Sequence, residues 1–304
     1  MRWEKLGLVY CAGGEYEWAQ SHAFIPTSMM LDEERIRVYV AFLDRHKVGR
    51  IGFVDLDADD PRRILRVSEK YVLDVGKPGT FDDSGVTPMC LLSLDGRLYL
   101  YYVGWQMGVK VRYYLFMGLA VSEDGGESFR RISQAPILDR SDGELFVRSA
   151  ANVLRDGDKW RMWYIAGSRW IEVEGKQVPT YNMRYLESDD HTTWNNQSDV
   201  CLELAGDDEF GFGRPYVVRE DGVFRMWYSI RTMSRGYRLG YAESDDGQHW
   251  KRKDAELGID VSASGWDSEM ICFSCIQKTR SGTYMFYNGN NYGETGFGVA
   301  RLQS

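Results

Sequence analysis

The sequence predicts an all-β protein, a five-bladed β-propeller in which residues 1–304 form a single domain. The first observation is an aromatic strand pattern that occurs five times; aligned at one position, it gives Val40, Tyr102, Tyr164, Tyr228 and Tyr287. The steps between them are 62, 62, 64 and 59 residues. A period of about 60 residues is longer than the ~40–50 of common blades, and it fits four strands with loops. Such a repeat predicts a closed ring of small antiparallel sheets around one central cavity.

The second observation is that the repeats share one order of strand and turn signals. A first strand with small and polar residues, as in 213–216, precedes a tight turn such as Asp-Gly at 221–222. Aspartate before glycine is typical of short hairpins. The aromatic strand follows, and its apolar run predicts burial on both faces. A third strand ends in a Ser-Asp-Asp-Gly turn (244–247), and a fourth opens with an aromatic residue and charges (250–252).

The two ends of the chain supply the third observation. The last repeat stops at residues 300–302 without a fourth strand, while the N-terminal segment 3–8 resembles the fourth strand at 250–253. We therefore expect the N-terminal strand to complete the last blade and to remove two exposed sheet edges. The segment 165–184 is longer than its counterparts and carries Trp170. This length predicts a flap over one face of the ring.

Composition limits the classes of function. The net charge of −8 argues against nucleic acid or an anionic membrane surface as a partner. No stretch approaches the ~18 apolar residues of a membrane span, and the first residues do not form a secretory signal. Five scattered cysteines, an odd number, favour reduced thiols in a cytoplasm. The Cys272-x-x-Cys275 pair is a weak metal or redox signal, because no second pair accompanies it.

Charged and aromatic side chains cluster before the first strands, which line the channel of a propeller. Burying such groups is costly, so their convergence on one mouth of the channel would indicate function rather than stability. The candidates comprise four acids, a further aspartate, a histidine, two arginines and four tryptophans: Asp82, Glu209, Asp267, Glu269, Asp83, His22, Arg148, Arg214, Trp18, Trp105, Trp170 and Trp266.

Several of these segments resemble a known family. Trp18 with Ser-His-Ala at 21–23, Phe-Asp at 81–82, Gly-Tyr-Arg at 236–238 and Gly-Trp-Asp-Ser-Glu-Met at 265–270 resemble a bacterial group found with surface-polysaccharide genes. That group is related to the five-bladed propeller glycoside hydrolases of families 43, 32 and 68. The resemblance covers essentially the whole chain. It implies hydrolysis or transfer of a glycosyl group by paired carboxylates, with a third acid tuning the proton donor.

The resemblance also suggests roles for individual residues. His22 lies where the family's first-blade acid is expected, and Asp82 is the nearest substitute for a missing Arg-Asp-Pro motif. Asp82 would be the base or nucleophile and Glu269 the general acid, with Asp267 or Glu209 raising the pKa of that acid.

The remaining candidates would contact the substrate. Arg148 and Arg214 would bind an acidic group of the substrate or hold a carboxylate ionised. His22, Asp83 and the tryptophans Trp18, Trp105, Trp170 and Trp266 would contact sugar. The structural alternatives are that Asp82 and Asp83 cap a turn, that Glu269 pairs with an arginine, and that His22 is a core histidine.

The sequence thus predicts a glycoside hydrolase or glycosyl-transferring enzyme. Its substrate would be a small molecule or oligosaccharide linked to surface polysaccharide. A non-catalytic carbohydrate-binding or assembly propeller is the alternative, and transfer from a sugar nucleotide is a third. We expect no cofactor; a single axial metal ion, held by water and His22, stays open. Nucleophile-elbow, Walker and dinucleotide-binding motifs do not occur in the sequence.

Overall fold

The computed structural model describes residues 1–173 and 175–303. These residues form twenty β-strands, a 3-10 turn at Asp254–Glu256 and a short helix, α1, at Asn290–Gly293. The all-β class predicted from the sequence is therefore confirmed. The strands are β1 (Trp3–Tyr10), β2 (Ser21–Met30), β3 (Arg35–Leu43), β4 (Gly49–Asp57), β5 (Ile64–Val67), β6 (Val86–Leu94), β7 (Arg97–Met107), β8 (Tyr113–Ser122), β9 (Arg130–Arg131), β10 (Val147–Asp156), β11 (Lys159–Val173), β12 (Lys176–Ser188), β13 (Asp199–Leu202), β14 (Glu209–Glu220), β15 (Val223–Thr232), β16 (Arg238–Ser244), β17 (Lys251–Arg252), β18 (Cys272–Thr279), β19 (Gly282–Asn288) and β20 (Phe297–Leu302).

Consecutive strands pair antiparallel in groups of four. The groups are β2 to β5, β6 to β9, β10 to β13, β14 to β17, and β18 to β20 with β1. Short parallel bridges join β8 to β10 and β12 to β14, so the three middle groups form one continuous hydrogen-bonded sheet. The first strands also contact one another in order, β2 with β6, β6 with β10, β10 with β14 and β14 with β18, and β18 contacts β2.

The N-terminal strand pairs with the last strand, as the sequence predicted. β1 runs antiparallel to β20, with Trp3 opposite Leu302 and Tyr10 opposite Phe297. The side chain of Trp3 is buried in an apolar cluster formed with residues of the last two groups. Because β1 covers the edge of β20, the final group reaches four strands only through residues from the other end of the chain.

The repeated tyrosine of the second strand is buried because the third strand makes room for it. Tyr102 lies opposite Gly118, and Tyr228 lies opposite Gly240. A Cβ atom at Gly118 would lie 2.2 Å from Cζ of Tyr102, and one at Gly240 would lie 2.4 Å from Cε2 of Tyr228. Glycine is therefore required at these positions by close packing. The aromatic ring of the tyrosine can then cross the sheet and place its hydroxyl among the loops.

Each of four first strands is interrupted by a bulge. Ile25, Ala150, Arg214 and Phe273 occupy these bulges with positive φ angles of 57°, 57°, 26° and 56°. The pairing register shifts at the same places, for example between Gly213 and Tyr216. A bulge redirects side chains and backbone groups out of the sheet. These redirected groups lie where the first strands meet.

The long segment 165–184 is a β-hairpin rather than a loop. β11 and β12 continue past the length of their counterparts, and pairing extends from Trp170 opposite Pro179 to Val173 opposite Lys176. The hairpin projects at the N-terminal ends of the first strands. No helix in the described ranges is both long and apolar enough to cross a membrane.

Candidate functional site

Two of the predicted acids are held inside their own strand groups by a tyrosine and a cation. Asp82 is fully buried, and its Oδ2 accepts hydrogen bonds from the Tyr102 hydroxyl (2.9 Å) and from Nε of Arg131 (2.7 Å). Asp267 accepts from the Tyr287 hydroxyl (3.0 Å) and from Nζ of Lys5 (2.7 Å). In both cases the cation comes from the outermost strand of the group.

The other two groups with a repeated tyrosine follow the same plan. The hydroxyl of Tyr164 lies 3.0 Å from both carboxylate oxygens of Glu144, which also pairs with Arg148 and Arg184. The hydroxyl of Tyr228 donates to Asp254 at 2.6 Å, and Arg252 bridges Asp254 and Glu209. We call each set of tyrosine, carboxylate and cation a strand clamp, because it ties the second strand to a loop and to a neighbouring strand.

The strand clamps give three of the predicted acids a cationic partner. Asp82, Asp267 and Glu209 are each neutralised by a basic side chain of their own group, and their convergence on one opening stays a prediction. The physical reason is that a buried tyrosine hydroxyl requires an acceptor, and a buried acceptor carboxylate requires a cation. The catalytic roles of these three acids stay predictions, and this geometry does not favour them.

Glu269 is the predicted acid with an exposed side chain. Its backbone carbonyl accepts from Arg238 at 2.9 Å, and its amide donates to Oδ1 of Asn290. Its carboxylate makes no ion pair within the described part of the chain, so the structural alternative of an arginine partner is not observed. Asp83, in contrast, caps a turn by accepting from the amide of Gly79 and the hydroxyl of Ser84.

The two predicted arginines are buried and have partners within the protein. Arg148 is fully buried, pairs with Glu144 and donates to the carbonyl of Asp139 at 2.7 Å. Arg214 is also buried; its guanidinium donates to three carbonyls and one hydroxyl, those of Pro26, Met89, Phe273 and Thr27. Since these partners belong to three other first strands, Arg214 ties the centre of the molecule together. The pairing of Arg148 with Glu144 matches the expected role of holding a carboxylate ionised, and binding of an acidic substrate group by either guanidinium stays a prediction.

His22 is buried beside the first strand, as its structural alternative supposed. Its Nδ1 lies 2.9 Å from Oγ of Ser21. Burial, reinforced by the positive charge of Lys47, lowers the pKa of His22 to about 4, while Glu294 acts in the opposite direction. The imidazole is therefore neutral at neutral pH.

The four tryptophans divide into two pairs. Trp18 packs against Phe42, with 5.4 Å between ring centroids, and Trp266 packs against Tyr287 at 5.2 Å. These two belong to the packing of single strand groups. Trp105 and Trp170 both contact Tyr113, at 5.3 Å and 5.8 Å between centroids.

Trp105 and Trp170 belong to a collar of aromatic rings at the N-terminal ends of the first strands. We call this collar the aromatic mouth; it consists of Phe24, Trp105, Tyr113, Phe146, Trp170, Tyr181, Tyr237, Phe273 and Tyr292. The rings come from every strand group, and most of the contacts between them are edge-to-face or tilted. Aromatic side chains with a few polar groups among them are typical of the lining of small-ligand sites.

A buried cation, Arg231, lies inside the aromatic mouth. Its guanidinium carbon lies 4.4 Å from the ring centroid of Phe210, 5.1 Å from that of Tyr181 and 5.8 Å from that of Tyr237. Its Nη1 donates to the carbonyl of Pro179 at 3.2 Å and to the hydroxyl of Tyr181. Arg231 was not among the residues predicted from the sequence, although a basic residue near the end of an apolar strand was a visible signal.

The structure was also searched for cavities and for groups of metal-binding side chains. A groove of about 730 Å³ lies between residues 75–80 and 129–134, beside the strand clamp of Asp82. Within the described residues, no three His, Cys, Asp or Glu side chains are grouped to hold a metal ion.

Comparison with known proteins gives one family and one fold. No family model matches the chain. The uncharacterized protein Rv1502 of Mycobacterium tuberculosis (strain ATCC 25618 / H37Rv) is 36% identical over 304 residues, which is 100% of both chains. The uncharacterized protein MT1551 of Mycobacterium tuberculosis (strain CDC 1551 / Oshkosh) is 35% identical over the same length.

Solved structures resemble the chain at low sequence identity. A protein described as a glycoside hydrolase has a TM-score of 0.73 at 19% identity, over 98% of this chain and 90% of its own. A thermostable family-43 glycoside hydrolase reaches 0.70 at 15% identity, covering 93% of this chain and 90% of its own. An endo-arabinase from Bacteroides thetaiotaomicron reaches 0.66 at 13% identity, covering 98% of both chains. The chain therefore belongs to the family of the mycobacterial protein Rv1502 and has the all-β fold of the family-43 glycoside hydrolases.

Proposed function

We propose that the protein is a glycoside hydrolase or glycosyl-transferring enzyme whose sugar binds at the aromatic mouth. In this proposal the strand groups are the five blades of one propeller domain, and β1 closes the ring. The observation that carries the proposal is the collar of rings from every group, with Trp105, Tyr113 and Trp170 partly exposed at its surface. Flat apolar faces beside a few polar groups suit the apolar faces of sugar rings. The fold shared with glycoside hydrolases supports the same assignment.

Glu269 is the residue that we assign to proton donation. Cleavage of a glycosidic bond needs one carboxylic acid to protonate the departing oxygen and a second carboxylate to attack or to activate water. Glu269 is exposed and makes no ion pair among the described residues, and Met270 beside it contacts the backbone amide of Tyr292 in the mouth. It is therefore the predicted acid that could approach a bound sugar without breaking a strand clamp.

The setting of the activity is also proposed. All five cysteines are free thiols, which supports a reducing compartment such as the cytoplasm. The substrate would be a small molecule or oligosaccharide, and the resemblance to a surface-polysaccharide group suggests a sugar of that origin.

The second candidate is a protein that binds carbohydrate without cleaving it. The observation that favours it is the neutralisation of Asp82, Asp267 and Glu209 within the strand clamps. A site that offered Glu269 alone could hold a sugar but would lack the second carboxylate.

One set of measurements separates the two candidates. Purified protein is screened against aryl glycosides and polysaccharide fragments for released reducing sugar, together with Glu269→Gln and the control Glu33→Gln, another exposed glutamate. An enzyme will release sugar, lose turnover in Glu269→Gln and keep it in Glu33→Gln. Saturable binding without turnover, weakened by Trp105→Ala, would assign the binding function. Neither turnover nor binding with any carbohydrate would refute both candidates.

A further inference from the structure

Arg231 differs from the other buried arginines in what surrounds its charge. Arg37 pairs with Asp55 through two hydrogen bonds of 2.7 and 2.9 Å, and Arg148 pairs with Glu144. Arg214 has three carbonyls and a hydroxyl. Arg231 is 8% exposed, and the ion pairs of the described residues do not include it. Its polar partners are the carbonyl of Pro179 and the hydroxyl of Tyr181.

Part of the guanidinium finds no acceptor among the residues that the structure describes. Nε of Arg231 is buried without a hydrogen-bond partner, and Nη2 donates in none of their hydrogen bonds. A buried cation without a counter-charge destabilises a fold, and attraction to the faces of Tyr181, Phe210 and Tyr237 offsets only part of that cost. Such a group is expected where a ligand supplies the missing negative charge.

The neighbouring tyrosines do not supply it. Burial raises the pKa of Tyr113, Tyr237 and Tyr292, so their phenols stay neutral at physiological pH. They can donate hydrogen bonds to an anion but cannot neutralise Arg231. Arg112 is exposed and acts electrostatically on both Tyr113 and Tyr292, which adds further positive potential at this edge.

We propose that Arg231, in its cage of aromatic rings, recognises a negatively charged substituent on the sugar that binds at the aromatic mouth. The substituent is a carboxylate or a phosphate, because a guanidinium offers parallel N–H donors that match either group. This inference rests on the proposed function, and it names the substrate class as acidic or phosphorylated sugars. The preference arises on a protein of net charge −8, so it is local and not a property of the overall charge.

The test is calorimetric binding of matched sugars. Glucuronate, galacturonate and N-acetylneuraminate form the carboxylate arm, glucose 1-phosphate and glucose 6-phosphate the phosphate arm, and glucose, galactose and glucuronate methyl ester the neutral arm. We expect at least one anionic sugar to bind at least about tenfold more tightly than its neutral counterpart, the gain typical of a charge-assisted hydrogen-bonded pair. The arm that does so identifies the group.

Variants then assign the preference to Arg231. Arg231→Gln should abolish it and Arg231→Lys should reduce it at least about threefold, because an ammonium lacks the parallel donors. Arg235→Gln should keep the preference. Arg235 is the matched control because it is exposed in the turn after the same strand and its substitution removes the same charge. Arg231→Lys keeps the charge and covers the case in which Arg231→Gln fails to fold.

The contrary outcomes are distinct. Equal affinity for anionic and neutral sugars, or a preference that survives Arg231→Gln, overturns this inference and leaves the proposed function standing. Absence of binding to every sugar, including the polysaccharide fragments, overturns the inference and the proposed function together.

Discussion

At the scale of single residues, His22 shows how burial gives a side chain a pH-dependent effect on stability. Its imidazole is buried beside Ser21, and its pKa is lowered to about 4 from the ordinary 6.5. The unfolded chain therefore binds a proton at a higher pH than the folded chain does. The stability that depends on neutral His22 is complete above about pH 6.5 and is lost as the pH falls towards 4. Its full size is about 3 kcal/mol, since one pKa unit corresponds to about 1.4 kcal/mol.

This effect can be measured by subtraction. The free energy of unfolding of the native protein and of His22→Gln is measured by denaturant titration between about pH 7.5 and 4.5, which spans the titration of the unfolded chain. We expect the native protein to lose about 2 kcal/mol more than the variant over this range. His46→Gln, a change at an exposed histidine, serves as the control and should follow the native curve. Parallel curves for the native protein and His22→Gln would show that His22 is not held neutral.

At the scale of the element, the strand clamps explain why the sequence predicted the strands, and they give the buried acids a structural role beside the catalytic one that the sequence predicted. The buried tyrosines repeat at a nearly constant period, because the second strand of each group must fill the same space opposite the third strand. In three clamps the acid lies 20 residues before its tyrosine, at Asp82, Glu144 and Asp267. A constant spacing of acid and tyrosine is a signal of scaffold, and it could have been read from the sequence.

Other parts of the elements could not be read from the sequence. The bulges at Ile25 and Phe273 place ordinary apolar residues at positive φ, which side-chain patterns do not predict. The role of Arg231 could not be predicted either, because it depends on which aromatic rings surround the guanidinium, and these rings come from distant segments. The segment 165–184 was predicted as a flap, and the structure adds that its residues pair with one another as a continuation of β11 and β12.

The clamp of Asp82 gives a prediction that separates structure from catalysis. Asp82→Asn weakens a buried pair with Arg131 and leaves that cation under-compensated, so we expect the free energy of unfolding to fall by about 3 kcal/mol. The matched control, Asp83→Asn, changes only a turn cap and should cost under about 1 kcal/mol. Any turnover should persist in the folded fraction of Asp82→Asn. A fully stable but inactive Asp82→Asn would instead restore Asp82 to the catalytic machinery.

At the scale of the whole molecule, the first and last strand groups are joined by interactions that bridge distant parts of the chain. Asn288 accepts from the amide of Ile25 and donates to the carbonyl of Ala23, both at 2.7 Å. Arg214, from the fourth group, reaches carbonyls of the second and the fifth. β1 adds its backbone pairing with β20 and the ion pair of Lys5 with Asp267. In the ring arrangement that we propose, β1 acts together with these contacts.

Deleting residues 1–10 should lower the melting temperature by about 10 °C, because it exposes β20 and leaves Asp267 without the cation of Lys5. The estimate takes several kcal/mol of lost stability at about 2–4 °C for each kcal/mol in a chain of this size.

The deletion alone would not distinguish loss of closure from general damage, so a circular permutant is the sharper experiment. This chain begins at Gly14 and continues from residue 304 directly into residues 1–13.

The permutant preserves β1 while changing how it is connected. Trp3 pairs with Leu302, so residues 303, 304, 1 and 2 would form a four-residue connection, a common length for a hairpin. We expect its melting temperature to return to within a few degrees of the native value, since β20 and β1 become a hairpin of one continuous group. A permutant as unstable as the deletion, or a deletion as stable as the native protein, would show that pairing of β1 is not what closes the fold.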